Sequence, residues 1–125
     1  MVKSVNNVGI AVRNLEQSLA FYQKLGFRVS LQDQNQAFLE AGTARLYLFM
    51  AGAGPLAQRS LDLFGNPPGF DHLSFDVVDL ESAHRELSQA GLVFESAPTN
   101  PGWGYMMASL LDPDGNRIFL LGPIN

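Results

Sequence analysis

Two stretches of the chain repeat one another: residues 7–16 read NVGIAVRNLE and residues 72–81 read HLSFDVVDLE. A Val, a Leu and a Glu recur at the same places, and Gly26 and Gly91 follow the two stretches at the same distance. Such self-similarity indicates a duplicated structural unit. Copies of about 50 residues are too small to bury a full core alone. The repeat therefore predicts two related modules within this chain of 125 residues.

Each copy has the pattern of one strand, one helix and three further strands. Apolar and small or polar residues alternate in 8–12 and again in 73–77, which is typical of a strand with one covered face. Asn14 and Asp79 are suited to cap helices at 15–25 and 80–90, and a glycine ends each helix. The remaining strands are expected at residues 27–31, 37–40 and 45–50 and at 93–95, 105–111 and 116–121.

The predicted fold class is therefore α+β, with two tandem βαβββ modules. The modules are expected at about 1–52 and 70–125 within one domain, joined by a linker rich in Gly and Pro with a possible short helix at 60–64. In the last strands the repeat aligns Glu40 with Asp112, so the second copy has an insertion around 98–104. Residues 112–116, DPDGN, have the composition of a hairpin turn.

Composition excludes several classes of function. The net charge is −4, so there is no basic surface for nucleic acid, and cysteine is absent, which removes disulfides and thiolate chemistry. The longest apolar runs have five or six residues, such as 46–51, whereas a membrane span needs about 20. The start of the chain lacks the apolar segment of a secretory signal. We expect a cytoplasmic protein with no nucleic-acid or membrane partner.

Three motifs stand out, LAFYQKLGF at 19–27, HLSF at 72–75 and DPDGN at 112–116. Together they resemble the vicinal oxygen chelate superfamily, which includes glyoxalase I, bleomycin resistance proteins and extradiol dioxygenases, and the resemblance extends from about Val5 to Pro123. It implies that the modules form a curved-sheet cavity for a ligand and that catalytic members hold a divalent metal there with the first and last strands of each copy. Because this superfamily contains isomerases, dioxygenases, transferases and binding proteins, the function depends on the site.

The resemblance places the metal-ligand positions at Asn7, Tyr47, His72 and Phe119, and only His72 is of the type that catalytic members use. A hard divalent ion needs several oxygen or imidazole ligands, with carboxylates to offset its charge. Asp76 shares the face of His72 but is four residues away, about 13 Å along a strand. Asp71 is expected on the opposite face. We therefore expect neither a metal ligand nor a cofactor in one chain, unless a second subunit completes the site.

The expected pocket is aromatic and mostly apolar, and suits a flat or hydrophobic small organic molecule. The acidic charge disfavours an anionic ligand. The alternative is that the rings fill a core, or that the lone Trp packs across a dimer contact. The candidate ligand-binding residues are Asn7, Tyr47, Phe49, His72, Ser74, Trp103, Tyr105, Met107, Phe119 and Leu121.

Three functions remain open from the sequence. The first is a metal-free small-molecule-binding protein, similar to the antibiotic-sequestering members and acting as a homodimer. The second is a glyoxalase- or dioxygenase-type enzyme, a lyase or isomerase with an atypical or absent metal site. In its metal-free form His72 or Asp76 is the base, although a lone histidine on a strand is more often structural. The third is an interaction module whose cavity its own side chains fill.

Overall fold

A computed structural model of the protein describes residues 1–56 and 58–124, and it divides into two compact units, Met1–Pro55 and Leu56–Asn125. Each unit contains one βαβββ module, which confirms the predicted α+β fold class. The exact module bounds of about 1–52 and 70–125 stay a prediction. The elements of the first unit are β1 (Val8–Val12), α1 (Leu15–Lys24), β2 (Arg28–Gln32), β3 (Gln36–Ala41) and β4 (Ala44–Met50). Those of the second are β5 (His72–Asp76), α2 (Leu80–Gln89), β6 (Phe94–Thr99), β7 (Met106–Leu111) and β8 (Arg117–Gly122).

The two sheets have the same strand order, β1-β4-β3-β2 in the first unit and β5-β8-β7-β6 in the second. In each sheet the first strand pairs in parallel with the last, and the other pairs are antiparallel. The last strand of each module is therefore central and has a neighbour on both sides. Side chains on the helix-free face of β4 and β8 are consequently flanked by two strands each.

In the first unit, α1 covers one face of the sheet. Val12, Leu39 and Leu48 point to this face and are fully buried, and Tyr22 of the helix is buried with them. The ring of Tyr22 is edge-on to that of Phe27, 5.9 Å away. Because strand side chains alternate, all of this apolar packing uses only every second residue of each strand. The other half of the side chains is left on the open face.

In the second unit, α2 covers the corresponding face. Leu110, Ile118 and Leu120 are buried there. Gly122 ends β8 at the closest approach of the helix, where an added Cβ would lie 2.9 Å from the Cβ of Leu80. Any side chain at this position would push the start of α2 away from the sheet, so the absence of a Cβ lets helix and strand pack closely.

The predicted helix caps are confirmed. The side chain of Asn14 accepts a hydrogen bond from the backbone N–H of Gln17 at 3.0 Å, and that of Asp79 accepts one from Ser82 at 3.2 Å. Each satisfies one of the free donors in a first helical turn. Both helices have ten residues, and no helix in the described part of the chain is long and apolar enough to cross a membrane.

Some predicted positions were wrong by a few residues. The short helix of the linker is a single 3₁₀ turn at Leu63–Gly65 rather than 60–64. Glu40 pairs across its hairpin with Arg45, whereas Leu111 pairs with Arg117, so Leu111 rather than Asp112 corresponds to Glu40.

The alignment failed at this point because the second hairpin has the longer turn. Asp112 belongs to the turn, where its carboxylate accepts hydrogen bonds from the backbone N–H groups of Asp114 and Asn116 at 2.9 and 2.8 Å. The predicted hairpin itself is confirmed.

Candidate functional site

The open face of the first unit carries three aromatic rings in a row, formed by Phe38, Tyr47 and Phe49. Phe38 pairs with Tyr47 across β3 and β4, and Phe49 follows two residues later on the same face. The ring centroids of Phe38 and Tyr47 are 4.6 Å apart and those of Tyr47 and Phe49 are 5.3 Å apart, with both pairs stacked. We call these three residues the aromatic row. It is a flat apolar surface of the kind on which another ring can stack.

A chain of hydrogen bonds holds the middle ring in place. The hydroxyl of Tyr47 donates to Oε1 of Gln36 at 2.6 Å, and Nε2 of Gln36 donates to Oδ2 of Asp33 at 2.9 Å. The hydrogen bond from Gln36, with others from the backbone N–H groups of Asn35 and Gln36, holds the pKa of Asp33 below its usual range. The Tyr47 ring is thereby oriented by partners within its own unit.

Of the aromatic row, the sequence predicted Tyr47 and Phe49 and missed Phe38. The alternation of the strand contains the signal for Phe38, because it lies between the buried Ala37 and Leu39 and therefore points to the open face. Its exposed fraction is 36%. The predicted Asn7 precedes β1 and is exposed, and its amide donates to Asn6 at 2.9 Å. The structure brings Tyr47 and Phe49 together and leaves Asn7 outside the row.

In the second unit the ring at the equivalent position is buried. Phe119, which corresponds to Tyr47, is only 2% exposed, and the ring of His72 stands edge-on to it at 4.6 Å. Phe119 pairs with Ser74 of β5 on one side and with Ser109 of β7 on the other. Ser109 is buried, and its hydroxyl lies 2.9 Å from that of Ser96. His72, Ser74 and Phe119 are therefore brought together, with the phenyl ring beneath the imidazole.

The imidazole of His72 is fixed by a carboxylate. Nδ1 of His72 lies 2.7 Å from Oδ1 of Asp71, whose other oxygen accepts from Asn66 at 2.8 Å. The hydrogen bond with His72 is the main reason that the pKa of Asp71 lies below its usual range. The expectation that Asp71 points to the opposite face was wrong. Asp71 precedes β5, so strand alternation does not apply to it.

An ion pair between a buried arginine and a partly exposed carboxylate lies beside this group and was not predicted. Arg117 is 5% exposed, and its Nε and one terminal nitrogen donate to the two oxygens of Glu95 at 2.9 and 2.8 Å. The other terminal nitrogen donates to the backbone carbonyl of Arg59 at 3.0 Å. Bonding to Glu95 raises the pKa of Arg117 above its usual range. Such forked geometry is the strong form of a charged hydrogen bond.

A cleft of about 270 Å³ opens at the ends of β5 and β8 in the second unit. Of the predicted residues, Tyr105 and Leu121 line it, and Met107 pairs with Leu121. Trp103 is 57% exposed, and its ring is edge-on to Tyr105 at 6.2 Å. The full lining is Asp76, Val77, Tyr105, Leu121, Gly122 and Pro123.

The divalent metal that the resemblance implies does not fit these residues. The phenyl ring of Phe119 has no donor atom, the hydroxyl of Tyr47 is already bonded, and the Nδ1 edge of His72 faces Asp71. In residues 1–56 and 58–124, no group of three or more His, Asp or Glu side chains could hold an ion. Hard cations require a convergent set of oxygen or imidazole ligands, and the described residues of neither unit provide one.

Comparison with known proteins gives consistent matches. A model of the Glyoxalase/Bleomycin resistance protein/Dioxygenase superfamily matches residues 4–120. A bleomycin resistance protein of Klebsiella pneumoniae is 30% identical over 110 residues, which cover 87% of this chain and 84% of that protein. A glyoxalase family protein from Enterococcus faecalis is 25% identical, with a TM-score of 0.79 and coverage of 95% and 97%.

A bleomycin-binding protein solved in complex with bleomycin is also similar. Its identity is 23% and its TM-score 0.69, and the alignment covers 98% of this chain and 100% of that one. At this identity the likeness concerns the fold alone. The match to the family model and the 30% identity to the Klebsiella protein go further, since both cover most of the chain. The chain therefore belongs to the Glyoxalase/Bleomycin resistance protein/Dioxygenase superfamily.

Proposed function

We propose that the protein binds an aromatic or hydrophobic small molecule without a metal, in the manner of an antibiotic-sequestering protein. The observation that carries the proposal is the aromatic row on the open face of the first unit. Phe38, Tyr47 and Phe49 lie where a packed core is not needed, because Leu39, Leu46 and Leu48 of the same strands already form the core. A flat organic molecule that stacks on these rings is the ligand that this surface suits.

The energetics of stacking support this ligand class. An aromatic pair contributes about 0.5–1.5 kcal/mol beyond the burial of its area, so contact with two rings corresponds to roughly a tenfold to hundredfold gain in affinity. The hydrogen bonds that hold Tyr47 add to this, since an oriented ring loses little freedom on binding. Trp103 and Tyr105 offer a second aromatic surface beside the cleft in the other unit.

The metal-free character is supported by what stands at the implied ligand positions. Tyr47 and Phe119 are rings rather than carboxylates, and both have packing partners. The Klebsiella relative is called a bleomycin resistance protein, which favours sequestration over turnover as the biological role. We include a homodimer in the proposal, in which a second copy can contribute to the bound state.

The test is a calorimetric titration with two probes, metal-free bleomycin and the neutral bicyclic 2-naphthalenemethanol. Tyr47→Leu removes the central ring and should weaken the binding of the neutral probe about tenfold. Phe64→Leu is the matched control, since it removes a fully exposed ring from the linker, and it should leave the affinity unchanged. Equal binding by both variants and the parent protein would show that the aromatic row is not the site.

A second function is favoured by one specific contact, the 2.7 Å hydrogen bond between Asp71 and His72. A carboxylate that fixes one ring nitrogen of a histidine orients the other, which is how a general base is often supported. In this alternative the protein is a metal-free isomerase or lyase, with His72 or Asp76 as the base. Turnover of a carbonyl substrate that is abolished by His72→Gln or by Asp76→Asn and kept by His84→Gln would establish it. Turnover that survives both His72→Gln and Asp76→Asn would exclude it.

A further inference from the structure

The cleft of the second unit has a carboxylate on one side and an aromatic ring on the other. Asp76 ends β5 and pairs with Leu121 of β8, and Met107 of β7 pairs with the same Leu121 from the opposite side. Two strand spacings therefore separate the flanking strands, about 10 Å. Tyr105 lies just before β7 and lines the cleft with Asp76. The side chain of Leu121 forms an apolar floor between the two.

Asp76 differs from the other acids around this sheet in having no partner among the described residues. Asp71 forms hydrogen bonds with His72 and Asn66, and Glu95 accepts hydrogen bonds from Arg117. Asp76 is exposed, and in residues 1–56 and 58–124 no side chain forms a hydrogen bond or an ion pair with its carboxylate. An ionised carboxylate accepts hydrogen bonds and donates none. It is therefore free to bind a donor that carries positive charge.

The aromatic side of the cleft also favours a positively charged ligand. Tyr105 is half-buried, and Trp103 stands edge-on to it at 6.2 Å. The faces of Trp and Tyr rings carry negative partial charge and attract ammonium and guanidinium groups. The rings, the carboxylate and the net charge of −4 all disfavour an anion here.

We propose that this cleft binds an organic cation, an ammonium or guanidinium group carried on a flat apolar body. Asp76 accepts its hydrogen bonds, the body lies on Leu121, and Tyr105 with Trp103 closes the aromatic side. A cleft of about 270 Å³ has room for one bicyclic fragment. The inference rests on the proposed function, because it names the charge of the ligand that the protein would bind.

The experiment compares 2-naphthylmethylammonium with 2-naphthalenemethanol, which has the same ring and no charge. Calorimetry at low ionic strength should give about tenfold tighter binding of the ammonium probe to the parent protein. Asp76→Asn keeps the shape of the side chain and should abolish this preference. Glu86→Gln removes an equal charge from the exposed face of α2 and should keep it. Tyr105→Leu should weaken the ammonium probe more than the neutral one.

Two results would overturn the inference, and they separate it from the proposed function. If the parent protein binds both probes equally, or if Asp76→Asn keeps the preference, the cation site is absent. Binding of the neutral probe that still depends on Tyr47 would then leave the proposed function in place. If neither probe binds, the proposed function itself fails and the cation site fails with it.

Discussion

The two central strands, β4 and β8, occupy equivalent positions in the two units and have different open faces. In β4, Arg45 is exposed at the surface and Tyr47 belongs to a stacked row of rings. In β8, the corresponding Arg117 is buried in a forked ion pair, and Phe119 is buried beneath His72. The same strand order thus supports an accessible aromatic row in one unit, and a buried ring beside a hydrogen-bonded polar cluster in the other.

The segment before β5 contributes to this difference. The backbone carbonyl of Arg59 accepts a hydrogen bond from Arg117, and Asp71 bonds to Asn66 and to His72. In the first unit, Asn7 before β1 bonds to its neighbour Asn6. The connecting segment thus supplies partners to the second sheet that help to distinguish its site.

The largest difference in stability between the two units is expected at the arginines. Arg117→Met should lower the free energy of unfolding by about 2 kcal/mol, because Glu95 and the carbonyl of Arg59 lose their charged hydrogen-bond donor while Glu95 keeps some contact with water. Arg45→Met is the matched control and should change it by no more than about 0.5 kcal/mol, since its ion pair with Glu40 is exposed to water. Urea denaturation of both variants checks this. Equal effects would mean that the two sites do not differ energetically.

The rings at the equivalent positions should also respond differently. Phe119→Leu should cost about 1.5 kcal/mol, because a buried ring leaves space that the surrounding side chains fill only in part. Tyr47→Phe should cost about 1 kcal/mol, the value of one hydrogen bond, since its ring and the stacking are kept. The same denaturation measurements apply. A larger loss for Tyr47→Phe than for Phe119→Leu would contradict the view that only the ring of the second unit is part of a packed core.

The smallest expected difference between the two units concerns the pH dependence of their helix caps. Asn14→Ala should cost about 1 kcal/mol at any pH, because its amide does not titrate. Asp79 differs, because the backbone hydrogen bond from Ser82 keeps its pKa below the usual range in the folded state. Its stabilisation is therefore complete above about pH 4, the unfolded value, and is lost as the pH falls through the folded pKa.

The measurement is the unfolding midpoint of both variants between pH 7 and pH 2.5. Asp79→Ala should destabilise the protein at pH 7, and the destabilisation should fade below about pH 4. The effect of Asn14→Ala should persist throughout this range. A cost of Asp79→Ala that does not change with pH would show that the carboxylate acts through shape and not through charge.

The sequence was sufficient to predict the architecture, because duplication, alternation and capping are local signals. Both helices were predicted correctly from their caps and final glycines, Asn14 and Gly26 for α1 and Asp79 and Gly91 for α2. Each strand was predicted within a few residues of its observed bounds. Alternation also placed Tyr47 and Phe49 on one face. The same alternation on β3 places Phe38 on this face as well.

The hydrogen-bonded polar cluster of the second unit was beyond such reasoning. Arg117 and Glu95 are 22 residues apart and Arg117 and Arg59 are 58 apart, and no periodicity links them. The burial of Phe119 likewise depends on its contact with His72 of the neighbouring strand, which no local pattern reveals. The hairpin register was missed because one extra turn residue does not change the local pattern. Long-range contacts and turn lengths are thus the parts that required the structure.

The central claim is that the aromatic row binds a flat ligand without a metal. The measurement that tests it most directly is calorimetric titration of 2-naphthalenemethanol into the parent protein and Tyr47→Leu, each with and without a divalent-metal chelator. The account predicts the same affinity for the parent protein in both conditions and about tenfold weaker binding by Tyr47→Leu. Binding that disappears with the chelator, or that Tyr47→Leu leaves unchanged, would contradict it.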